Sequence, residues 1–63
     1  MKAHAIDQID TKGNRRIVIL RTAAGYRVDE FERVNGDGTW HYRRNWETGL
    51  SRHELNHLLA SIW

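Results

Sequence analysis

The sequence predicts an α+β fold: a small antiparallel meander sheet of three or four strands, packed on one face by a single C-terminal helix. Three observations predict it. Ile17, Val18, Ile19 and Leu20 form a largely β-branched run, and such side chains suit a pleated surface covered on both sides better than a helix. Asn35-Gly36-Asp37-Gly38 holds two hairpin signals in succession, with glycine wherever a tight reversal needs positive φ. From Ser51 onward a polar cap is followed by apolar residues at helical spacing.

Taken in order, residues 1–10 read as either a first edge strand or a loose arm. Ala3, Ala5 and Ile9 fall among polar neighbours, with Ile6 out of phase. Thr11-Lys12-Gly13-Asn14 is a turn, because Gly13 and Asn14 both tolerate positive φ. Residues 16–22 form the central strand. After the short Ala23-Ala24-Gly25 connection, residues 26–33 alternate Tyr26 and Val28 against Arg27 and Asp29. The alternation slips at Phe31, and a β-bulge near Asp29 or Glu30 would return Phe31 to the face of Tyr26 and Val28. Residues 39–46 then place Trp40, Tyr42, Arg44 and Trp46 inward and Thr39, His41, Arg43 and Asn45 outward.

The helix, residues 51–62, is specified at its start. Ser51 is the N-cap, Glu54 at N3 closes a capping box, and Leu50 can staple onto Leu55. Leu55, Leu58, Leu59 and Ile62 form one stripe, expected to cover Val18, Leu20, Tyr26, Val28, Trp40 and Tyr42.

With 63 residues, the chain is expected to be a single domain, 1–63, near the lower size limit for independent folding. The absence of cysteine excludes disulfide staples and thiolate zinc sites, so stability must come from apolar packing, a different kind of metal site or a partner chain. The longest apolar run ends at Arg21, far short of the roughly 20 residues a membrane span needs, so no membrane partner is expected. No apolar leader precedes the first strand, which points to the cytoplasm. Net charge is +2, and eight of the ten basic residues are arginine, whose rigid donor fork suits phosphates and carboxylates.

His53-Glu54-Leu55-Asn56-His57 matches H-E-x-x-H, the pattern in which two imidazoles hold zinc and the glutamate activates water. Over these five residues the chain resembles the zincin metalloprotease signature. Such an enzyme needs a third ligand, and the six residues after His57 contain no His, Asp, Glu or Cys. Helical geometry also turns His53 and His57 away from the leucine stripe, and Glu54 is engaged by the cap. Two surface histidines are the expected reading, and a metal-binding protein or zinc hydrolase is the alternative. No glycine-rich phosphate loop precedes a helix, and no serine or cysteine nucleophile stands beside a base. No catalytic residue, cofactor or metal is therefore expected, and Asp29, Glu30 and Glu32 are read as surface groups.

The remaining constellation is the outer sheet face, with Arg15, Arg21, Arg27, His41 and Arg43 around Ile17 and Ile19. The basic residues point to nucleic acid, DNA or RNA, as the ligand of a non-enzymatic binding protein. Ile17 and Ile19 point to a contact with a second chain, hence a homodimer. A protein-interaction or self-association module is the alternative on the same surface. In outline, the order of strands and final helix, with Gly49-Leu50-Ser51 leading into the leucine stripe, resembles the small single-strand-binding domains of the transcriptional coactivator type, which are dimers. That resemblance implies a single-stranded ligand and a two-fold assembly, and transfers no residue.

Overall fold

Four antiparallel strands in the order of the chain, followed by one helix, make up the fold. The strands are β1 (His4–Lys12), β2 (Arg15–Thr22), β3 (Gly25–Glu32) and β4 (His41–Leu50), and the helix is α1 (Arg52–Ile62). The computed structural model describes residues 4–34 and 38–63. Most of the expected reversal at Asn35-Gly36-Asp37-Gly38 lies outside the described residues. The meander and its helical cover are as the sequence predicts, and residues 4–12 are a true edge strand.

Local chemistry accounts for the joints. Gly13 takes φ of 62° in the two-residue turn between β1 and β2, a conformation that favours glycine. Ala23 and Ala24 join β2 to β3, and the Thr22 hydroxyl accepts from the Ala24 N–H at 3.1 Å and donates to the Gly25 carbonyl at 2.8 Å. At the start of α1 the Glu54 N–H donates to Ser51 Oγ at 3.2 Å, and the Ser51 N–H donates to Glu54 Oε1 at 2.8 Å. This is the expected capping box, and hydrogen bonding to the Glu54 carboxyl, from the Ser51 N–H first and the Ser51 side chain second, holds it below its ordinary pKa.

On β2 the face that α1 covers is the reverse of the expected one, whereas Tyr26 and Val28 of β3 lie on the helix side as expected. Ile17, Ile19 and Val28 are fully buried with Leu55 and Ile62, while Tyr26, Trp46, Leu50, Leu58, Leu59 and Trp63 pack around them. Val18 and Leu20, expected under the helix, face the other way, and Ile17 and Ile19, expected as an outer contact surface, are core residues at 0% exposure. The reason is register. Arg21 pairs with Tyr26 and Ile19 with Val28, and directly opposite residues share a face.

The proposed bulge is also elsewhere. The β2/β3 register runs without a shift, whereas the β3/β4 pairing shifts at three points. From Tyr26↔Leu50 to Glu32↔His41, β4 uses more residues than β3, so the extra residues lie on β4. Phe31 consequently stays opposite Tyr26 and Val28. Tyr42 pairs with Phe31, while Trp46 packs into the core, so these two aromatics, expected on one face, are divided between two.

Candidate nucleic-acid interface

The sheet face opposite α1 has no layer over it among the described residues. One register row crosses all four strands: Thr11, Arg16, Phe31 and Tyr42 are successive partners. The Phe31 and Tyr42 rings meet edge to face, with centroids 5.6 Å apart, and Tyr42 is 55% exposed. Trp40, just before β4, lies at the same end of the sheet. The guanidinium carbons of Arg16 and Arg33 lie 4.2 and 4.6 Å from its ring centroid. Arg16 also donates to Thr11 Oγ1 at 2.9 Å, and Arg33 to Asn14 Oδ1 at 3.3 Å. Two cations are thereby fixed over an indole, at the end of the sheet that carries the edge-to-face ring pair.

Toward the other end the face becomes aliphatic. Ile9 pairs with Val18 and Ile6 with Leu20. With Phe31, Trp40, Arg16 and Asp29 they line a shallow concavity of about 330 Å³. Ile6 and Ile9 share this face because the β1/β2 register shifts between Ile6 and Gln8, which resolves the phase slip seen in the sequence. Beside this aliphatic strip, in the rows of Leu20 and Val18, Arg27 donates to both carboxylate oxygens of Asp29, at 3.0 and 3.1 Å. Asn45 Nδ2 donates to Asp29 at 3.0 Å and to the Val28 carbonyl at 3.1 Å. The Asp29 carboxylate raises the Arg27 pKa above its ordinary value, by hydrogen bonding first and by charge second.

Of the residues that the sequence nominated for nucleic acid, only Arg27 lies on this face. Arg15, Arg21, Arg43 and His41 belong to the helix side or its margin. Arg15 donates to Glu30 at 3.0 Å and lies over the Trp63 ring. Arg43 donates to Glu32 at 2.7 Å, and Arg21 lies 3.9 Å from Asp7. His41 pairs with Glu32 in the β3/β4 register. Asp29 and Glu30, read from the sequence as surface acids, are buried at 6% and 4% exposure. Sequence reasoning missed Arg16, Arg33, Phe31 and Tyr42 as members of one site, because the β2/β3 parity and the β3/β4 register shifts decide which face Arg16, Phe31 and Tyr42 occupy.

The helix keeps its two imidazoles on the solvent side, and among the described residues no group of three or more His, Asp, Glu or Cys could hold a metal. No helix among them is long and apolar enough to cross a membrane. Comparison with known protein families, with curated proteins and with solved structures returned no match to this chain.

Proposed function

We propose that this chain is a non-enzymatic binding domain whose open sheet face takes a single-stranded nucleic acid. One observation carries the reading: Arg16, Phe31 and Tyr42 stand in one cross-strand row beside Trp40 and Arg33, on a face that no other element covers among the described residues. Single strands are bound by combining cations that follow the phosphates with aromatic rings on which bases stack. Duplex would offer only its backbone to so flat a surface, because its bases are already stacked.

Fluorescence anisotropy with labelled single- and double-stranded oligonucleotides across a salt series tests this. Single strands should bind more tightly. Tyr42→Ala should weaken binding roughly 5- to 150-fold, the equivalent of about 1–3 kcal/mol for one stacked base. Arg16→Ala and Arg33→Ala should each reduce the salt slope by about 0.7, one phosphate contact apiece. Arg43→Ala and Arg52→Ala, on the helix side, should change little. No binding at low salt, or equal losses at all four arginines, removes this site.

A second reading rests on the aliphatic half of the same face, where Ile6 and Ile9 are 62% and 48% exposed. A second copy of the chain would bury them and give a homodimer, with the face acting as a self-association surface. Such a dimer should hold or tighten as salt rises and fall apart in Ile9→Lys, both visible by sedimentation equilibrium, whereas phosphate binding weakens with salt.

A further inference from the structure

The solvent side of α1 carries a pair of imidazoles that the sheet face does not use. His53 and His57 are exposed, and their ring centroids are 4.6 Å apart with the planes at 66°. Four residues is slightly more than one helical turn, so both side chains rise from the same strip of helix. This is the spacing at which two imidazoles share one ion in helical zinc sites. Rings this close need only side-chain rotation to bring one nitrogen each to the roughly 2.0–2.1 Å that zinc requires.

The donor set selects the ion. Imidazole favours borderline divalent transition metals over magnesium and calcium, which prefer oxygen. Glu54 lies between the two histidines in sequence, but its carboxylate accepts from the Ser51 N–H at 2.8 Å, so the cap already uses it. Asn56, the other intervening polar residue, is a poor ligand for such an ion. The site therefore supplies two nitrogens and leaves the other coordination positions open, without the third protein ligand of a hydrolase.

We propose that His53 and His57 form a two-imidazole site for a divalent transition ion such as Zn²⁺, completed by water or by a ligand from outside the chain. Binding clamps the first turn of α1 to the second and so stabilises the helix whose inner face closes the core. Because the two side chains make no contact with the sheet's open face, the site stands whether or not that face binds nucleic acid.

The test is a titration of the whole chain with zinc chloride, following the imidazole proton resonances and the thermal midpoint. The signals of His53 and His57 should shift together and saturate at one ion per chain, and the midpoint should rise by several degrees. His53→Ala and His57→Ala should each weaken binding at least tenfold, with the fold retained by circular dichroism because both positions face solvent. His41→Ala should bind as the parent does, and magnesium should leave the two resonances in place. Zinc affinity unchanged in both helix variants, or no movement of the two resonances at millimolar zinc, would overturn the proposal.

Discussion

Glu30 shows how one side chain ties the sheet to its helix-covered face. It is 4% exposed, and its carboxylate accepts from Arg15 at 3.0 Å and from the Trp46 indole at 2.7 Å, with Arg43 at 3.8 Å. Burial alone would raise its pKa. The hydrogen bonds from Arg15 and Trp46 and the charges of Arg15 and Arg43 outweigh that effect and hold the pKa below the ordinary glutamate value of 4.5. A carboxyl with a depressed folded-state pKa contributes stability that is fully present above its unfolded value and is lost as pH falls through the folded one. Glu30→Gln should therefore cost roughly 1–3 kcal/mol at pH 7, the range for a hydrogen-bonded buried charge. The difference from the parent should shrink below about pH 4. Urea unfolding at pH 7 and pH 3 checks both halves, and a cost independent of pH would mean that shape and not charge makes Glu30 matter. Such a role is hard to foresee, because Asp29, Glu30 and Glu32 differ in environment only through which partners the register brings to each.

At the scale of elements, the fold class was legible and the assignment of faces was not. The Gly13-Asn14 turn, the β-branched run and the capping box are local, and each is where the sequence puts it. Which face of β2 the helix covers depends on parity across the next hairpin. A two-residue loop at Ala23-Ala24 pairs Thr22 with Gly25, and every later pair then joins an even residue to an odd one. Tyr26 and Val28 must accordingly share a face with Ile19 and Arg21, not with Val18 and Leu20. The three-residue Ala23-Ala24-Gly25 connection read from the sequence gives the opposite parity, and the inclusion of Gly25 in β3 reverses it. The β4 register shift that separates Tyr42 from Trp46 was not legible either, because no glycine or other local mark announces it, whereas Gly49, at φ of 75°, stands at the shift between Tyr26 and Val28. These irregularities also bring the end of β4 against the start of β3. A Cβ on Gly25, where φ is +123°, would stand 2.8 Å from the Leu50 carbonyl oxygen. Gly25→Ala should cost roughly 1–3 kcal/mol from the combination of backbone strain and that contact. Gly38→Ala, whose Cβ would meet nothing within 4 Å, serves as the comparison. Similar unfolding midpoints for the two variants would show that the β3 and β4 ends can separate at little cost.

The molecule as a whole is thin. Its Cα atoms extend 36 × 30 × 16 Å with a radius of gyration of 12.2 Å, against about 10.6 Å for a compact domain of this length. One helix covers one side of a four-stranded sheet, and the fully packed apolar core reduces to Ile17, Ile19, Val28, Leu55 and Ile62. A core this small leaves little reserve, so under the proposed function a ligand held on the open face would contribute a large share of the stability of the complex. Mass action gives that share a size: a ligand that binds only the folded chain, at a free concentration one hundred times its dissociation constant, adds about 2.7 kcal/mol. In a domain of this length each kcal/mol moves the midpoint by roughly 4–8 °C. Saturation with a single-stranded oligonucleotide should therefore raise the thermal midpoint by roughly 10–20 °C at low salt. Tyr42→Ala should keep the unliganded midpoint near that of the parent, because the ring is more than half exposed, and should lose most of the rise at the same oligonucleotide concentration. A midpoint that stays put with saturating oligonucleotide but climbs with protein concentration would assign the open face to a second copy of the chain instead, since only an assembly of like chains makes thermal stability depend on how much protein is present.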